Sequence, residues 1–125
     1  MNIIKQRLQK LADANWYINL YDKIGYDNYP SYYNKDFNTE KWVKDNVELL
    51  SNALGMSEEK VTSPEIIEKI DNGFTVSSCY DCYSDYYKEA HGFRPRGEML
   101  DESSKDAFLK DYKERMDSLE EIVKE

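Results

Sequence analysis

Apolar residues at Ile4, Leu8, Leu11, Ile18 and Tyr21, widened by Ile3, Trp16 and Leu20, recur at the spacing of one helix face rather than in strand alternation. The pattern predicts a long first helix from Asn2 to about Ile24, stopped by Gly25. Pro30 disfavours helix in the residue before it, so Gly25 to Asn38 reads as a long loop. Thr39 is a good N-cap and predicts a helix to Leu54, with Trp42, Val43, Val47, Leu50 and Leu54 on one face and Gly55 as its stop. Ser63, Pro64 and Glu65 form another start signal, because proline suits the first helical position and an acidic side chain suits the positive end of the helix dipole. Ile66, Ile67 and Ile70 then make a short helix, which the turn-forming Asp71, Asn72 and Gly73 should end. Phe74 to Val76 reads as a brief extended piece. Ser77 or Ser78 caps a following helix to about Ala90, with Tyr80, Tyr83 and Tyr87 on one side and Gly92 at its end. Phe108, Tyr112, Met116, Leu119 and Val123 share one face of a long C-terminal helix starting near Ser103 or Ser104.

The expected fold is therefore mainly α. It is a compact bundle of about five helices in a single domain over residues 1–125, with one long tyrosine-rich loop and at most a minor extended segment near Phe74–Val76. No internal repeat, low-complexity tract or Gly/Ser-rich linker divides the 125 residues, a length typical of one domain.

Composition changes this picture in two ways. Hydrophobic residues make up 40%, but 11 residues are Tyr, and the mean hydropathy is −0.86, so much of the core must be built from tyrosine rings whose hydroxyls reach water. Seventeen basic residues against 25 acidic ones give a net charge of −8, which repels phosphate backbones and anionic lipid surfaces. Direct nucleic-acid and membrane binding are disfavoured. No stretch approaches the roughly 20 apolar residues that cross a bilayer, and Met1 to Lys10 lacks the apolar run of a secretory signal, so the expected location is the cytoplasm. The first 50 residues hold seven basic and seven acidic side chains, and the whole of the −8 lies after Leu50.

Chemistry-bearing residues are few. Cys79 and Cys82 have the spacing of zinc and dithiol sites, and the serines before them place the pair near a predicted helix start, where the dipole lowers a thiol pKa. A zinc site wants four ligands, and His91, the sole histidine, is the one further nitrogen. The pair reads first as reduced, partly buried thiols, with a Cys79/Cys82/His91 metal site as the alternative. His91 abuts Gly92, where an imidazole commonly satisfies the last helix carbonyls. There is no G-x-S-x-G, phosphate-binding glycine loop, H-E-x-x-H or dinucleotide fingerprint, and no cofactor is implied. An enzymatic reading would need one pocket gathering His91, Arg94, Arg96 and tyrosine hydroxyls.

The most distinctive segment runs from Tyr86 to Gly97, YYKEAHGFRPRG. Glycine ends the helix, proline stiffens the loop, and Arg94 and Arg96 present paired donors to carboxylates or phosphates. The arginines either staple the loop onto neighbouring acidic helices, leaving Phe93 as a core plug, or face a partner. This segment resembles a signature in small proteins of bacteriophages and other mobile elements, where a tyrosine-lysine helix end runs into His or Tyr, Gly, an aromatic residue and Arg-Pro-Arg. Most of that loose group has no assigned activity, so the resemblance implies a mobile-element origin and, by analogy with small acidic phage proteins, antagonism of a host defence nuclease, either anti-restriction or anti-CRISPR.

The functional expectation is a non-enzymatic binding protein whose acidic surface occupies the basic channel of a host nucleic-acid enzyme, if need be by imitating DNA. The residues expected to carry it are Asp106, Asp111, Glu114, Asp117, Glu120 and Glu121 on the last helix, the contact tyrosines Tyr26, Tyr29, Tyr32 and Tyr33, and Arg94 and Arg96. The alternative is a small regulatory or structural module in which the Cys79/Cys82/His91 metal site orders the Arg94–Arg96 loop.

Overall fold

The computed structural model describes residues 16–32, 34–97 and 99–124. Most of the predicted first helix and Tyr33 lie outside the described residues. Six α-helices are formed among those described: α1 (Tyr21–Ile24), α2 (Thr39–Asp45), α3 (Val47–Leu54), α4 (Glu58–Val61), α5 (Pro64–His91) and α6 (Lys105–Lys124). No strand occurs among the described residues, in keeping with the mainly α expectation. Contacts divide the chain into two compact units, with the boundary inside α5 between Thr75 and Val76.

The unit Tyr17–Thr75 is centred on Leu20, Ile24, Val43, Leu50, Val61, Ile66, Ile70 and Phe74, all buried. The predicted helix from Thr39 to Leu54 is two helices. Asn46 breaks it at φ −121°, ψ 27°, where its backbone N–H donates to the Trp42 carbonyl at 3.1 Å and its side-chain amide donates to the same oxygen at 2.9 Å. The cap of α2 is Asn38, whose Oδ1 accepts from the Lys41 N–H at 3.0 Å. Thr39 instead sends its hydroxyl to Asp71, 2.7 Å away. Gly55 ends α3 in the left-handed conformation at φ 66°, a stop that glycine makes without strain. The short α4, capped by Ser57, was not predicted, because its four residues carry one apolar position, Val61.

Two larger corrections concern residues 16–20 and 71–78. The stretch Trp16–Leu20 is not helical, although it falls in the predicted first helix. It crosses α5, where the Ile18 N–H donates to the Lys69 carbonyl at 3.0 Å. Asp71, Asn72 and Gly73 do not turn, Phe74–Val76 is not extended, and no new helix begins at Ser77: α5 runs through all of them for 28 residues. Gly73 explains the misreading. A Cβ there would overlap the Ile18 carbonyl, so the residue is glycine for close approach between backbones and not for a turn.

The second unit contains Trp16 and residues 76–124. Val76, Cys79 and Tyr83 from α5, Leu100 from the following loop, and Phe108 and Leu119 from α6 are buried. Ser104 caps α6 by accepting the Ala107 N–H at 3.1 Å, in agreement with the predicted start.

Candidate functional site

The chemistry-bearing residues of the second unit lie on the C-terminal half of α5, the loop 92–104 and α6. The loop is clamped by polar contacts. Glu102 is only 1% exposed, and its Oε2 accepts the Tyr80 hydroxyl proton at 2.8 Å. That hydroxyl in turn accepts the Leu100 N–H at 3.2 Å, while the Trp16 indole donates to the Glu102 carbonyl at 2.9 Å. Beneath them Phe108 meets the rings of Trp16 and Tyr80 at 5.7 and 5.8 Å. A buried carboxylate is tolerated only where donors meet it.

Arg115, on α6, performs the same task. It donates to Asp111 at 3.1 Å, to the Tyr83 hydroxyl at 3.4 Å and to the Met99 carbonyl at 3.2 Å. Burial pulls its pKa down, but the hydrogen bonds to Tyr83 and Asp111 outweigh this and hold it above the ordinary arginine value. Asp111 also accepts the Asp101 N–H at 2.9 Å. Asp111, expected on a partner-facing surface, is thus engaged in positioning the loop.

Between α5 and α6 lies an open cleft of about 300 Å³, lined by residues including Tyr83, His91, Glu114, Arg115 and Ile122. Arg94 and Arg96 do not line it, so the pocket that would gather them with His91 is not formed there. The Arg94 guanidinium instead donates to Asp85 at 2.6 Å and to Ser84 at 3.0 Å, fastening the loop to the helix it leaves. Gly92 makes the reversal at φ 84°, with its N–H on the Lys88 carbonyl at 2.7 Å. Phe93 is 59% exposed and is no core plug. It leans on Tyr87 and His91, and Arg96 is exposed.

The cysteine pair sits in the middle of α5 and not near a helix start, which corrects the expected placement at the positive end of a helix dipole. Cys79 is buried, and burial, followed by the nearby Cys82, pushes its pKa up to about 11. Cys82 is exposed. His91 lies nine residues further along the same helix, about 14 Å by helical rise, and among the described residues no group of three or more His, Cys, Asp or Glu is arranged to hold a metal ion.

In the other unit the tyrosine loop divides. Tyr32 stacks on Phe74 at 5.2 Å and 12°, and Tyr29 meets the same ring edge-on at 5.7 Å, so both are partly buried against the core. Tyr26 is 78% exposed and, with Tyr21, forms the outward end of the cluster.

On α6, Asp106, Glu114, Asp117, Glu120 and Glu121 are exposed. Lys113 pairs with Asp117 at 3.3 Å and Lys124 with Glu120 at 3.0 Å. Asp106, Glu114 and Glu121 remain without an ion pair among the described residues. Sequence reading missed Tyr83, Arg115 and Ile122 as cleft residues; the four-residue step from Asp111 to Arg115 was the available signal. No family model, curated protein or solved structure matches the chain, and no helix among the described residues is long and apolar enough to cross a membrane.

Proposed function

We propose that this chain is a non-enzymatic binding protein whose acidic α6 face docks on a basic surface of a host nucleic-acid enzyme, in the manner of a phage-type anti-restriction or anti-CRISPR antagonist. The observation that carries this reading is the unpaired carboxylate row Asp106, Glu114 and Glu121 on the exposed side of α6. Its spacing limits the mode of action. By helical rise these carboxylates stand about 10–12 Å apart, whereas a duplex presents a charge every ~1.7 Å of its axis. The face therefore resembles a sparse acidic docking ridge more than a copy of the phosphate lattice. Its contribution is to the rate and salt sensitivity of association. Exposed Tyr21 and Tyr26 offer a separate aromatic contact on the other unit.

The test is DNA cleavage by a panel of purified bacterial restriction and CRISPR nucleases, with this protein added at low and at high salt. Inhibition of at least one enzyme at low salt, relieved by added salt and by lysine at Asp106, Glu114 and Glu121 together, is expected. Asp111 is left intact because it holds the loop. Inhibition indifferent to salt and to these substitutions would remove the acidic face from the mechanism.

A further inference from the structure

Tyr21, Tyr26 and Tyr29 converge on one corner of the unit Tyr17–Thr75. Gly25, at φ 78°, turns the chain between α1 and a single 3₁₀ turn, Tyr26–Asn28, which the Tyr29 N–H closes on the Tyr26 carbonyl at 3.1 Å. Side chains three residues apart eclipse one another in such a turn, so Tyr26 and Tyr29 project from the same side of it. The Tyr21 ring meets both edge-on, Tyr26 at 6.5 Å and Tyr29 at 5.4 Å. Tyr29 packs in turn on Phe74 at 5.7 Å, and the buried Ile24 holds α1 to the core. Tyr21 and Tyr26 are nevertheless exposed, and neither hydroxyl makes a hydrogen bond among the described residues. The corner is thus an anchored aromatic notch that offers ring faces and two hydroxyl donors with little further ordering to be done on binding.

The chemistry of the notch selects its ligand. Asp27, next to Tyr26, makes no ion pair among the described residues, and Asp22, next to Tyr21, accepts the Asn19 amide at 3.0 Å. Lys23 falls two residues from Tyr21, about 200° round the helix, and leaves the acidic balance on the tyrosine side in place. The whole segment Tyr17–Thr75 is also net negative, so phosphate-bearing ligands are repelled and a basic group is attracted. A segment in the polyproline II conformation suits what remains. Its proline rings pack on aromatic faces, its carbonyls make no internal hydrogen bond and can accept from the two hydroxyls, and its prolines have no N–H that would need an acceptor. One turn of that helix, ~9 Å, matches the reach of three rings at these spacings. We propose that the Tyr21–Tyr26–Tyr29 notch binds a proline-rich segment of a partner protein, with a basic residue of that segment on Asp27. The inference goes beyond the acidic α6 face and does not rest on it, because every residue it uses belongs to the other unit.

The experiment is an NMR titration of the isotope-labelled full chain with an acetylated, amidated peptide of one arginine followed by six prolines. The controls are the same peptide with glutamate for arginine and a glycine-serine peptide that keeps the arginine. Saturable shifts of the Tyr21, Tyr26 and Tyr29 ring signals are expected with the arginine-proline peptide, weaker ones with the glutamate version and none with glycine-serine. Tyr26→Ala, at an exposed position outside the core, should weaken the affinity about ten-fold, the scale of an aromatic anchor. Asp27→Asn should weaken it roughly two- to five-fold, the scale of an exposed ion pair. An equal response to the glycine-serine peptide, no saturation with the arginine-proline peptide, or unaltered affinity in Tyr26→Ala would overturn the proposal. Tighter binding of the same rings by a thymidine oligonucleotide or by a cellulose oligosaccharide would overturn it as well, assigning the notch to base or sugar stacking.

Discussion

Gly73 shows how much one residue decides here. It is buried in the middle of a 28-residue helix, where glycine costs about 1 kcal/mol relative to alanine. The cost is accepted because the Ile18 carbonyl occupies the place of a side chain, and the Ile18 N–H bonds to Lys69 one turn away. Gly73→Ala should therefore lower stability by about 1–3 kcal/mol, the overpacking penalty exceeding the gain in helix propensity, as measured by chemical denaturation. A stabilised variant would mean that the crossing segment gives way easily. Glycine in a D-N-G triplet is locally a turn signal, and nothing local distinguishes a turn from a close crossing. The sequence spacing placed Gly55 and Gly92 correctly as helix ends, because both follow the last apolar position of their helix. Phe93 was misplaced for a related reason: its hydrophobicity predicts burial, but Gly92 reverses the chain and Arg94 ties it to Asp85, leaving the ring outward.

At the level of elements, α5 and α6 meet along Cys79, Cys82 and Tyr112. Burial, with the two thiols adding to it, pushes the Tyr112 pKa from 10.0 up to about 12, and burial with Cys82 pushes Cys79 from 9.0 to about 11. Both groups are acids whose neutral form the fold favours. In the unfolded chain they ionise first, so stability is intact below pH 9 and falls as the solution passes from about 9 towards 12. Denaturant midpoints measured across that range should drop, and Cys79→Ala with Tyr112→Phe should flatten the decline. An undiminished decline would assign it to other groups. The spacing of Phe108, Tyr112, Met116, Leu119 and Val123 made α6 legible from end to end, since its apolar period is continuous and its cap is local. The single helix α5 was read as two helices joined by a strand-like piece, because its apolar pattern changes face where it passes from one unit to the other.

Over the whole molecule, the structural boundary redistributes the charge. Counted from Leu50, all of the −8 lies in the C-terminal part. Counted by segment, Tyr17–Thr75 carries 11 acidic and six basic residues and residues 76–125 carry 13 and eight, so each segment is −5 and neither is neutral, the balance of +2 lying in residues 1–16. Self-repulsion within each unit outweighs the exposed pairs such as Lys44–Glu40 and Lys113–Asp117, which contribute little individually. Raising sodium chloride from low to moderate concentration should therefore raise Tm by roughly 2–4 °C, equivalent to about 0.5 kcal/mol. A fall in Tm on adding salt would show that the ion pairs dominate.

The candidate site was partly legible. Glu114 and the acidic run were visible as charge on a helical face, and Arg94 as a staple to an acidic helix. Which carboxylates stay free is not set by i,i+4 spacing alone, since Lys110 lies four residues from both Asp106 and Glu114 and makes no ion pair with either, and it depends also on whether a loop amide needs an acceptor, as Asp101 needs Asp111. The sequence by itself determined that the chain is helical, where α5 starts and stops, and which face of α6 is apolar, because caps and periodicity act within a few residues. Only the tertiary structure decided the break at Asn46, the unbroken course of α5, the crossing at Gly73 and the cleft between Tyr83 and Glu114. The break at Asn46 turns on a side-chain bond to the Trp42 carbonyl that apolar periodicity does not record, and the others arise from groups far apart in the chain meeting in the same space.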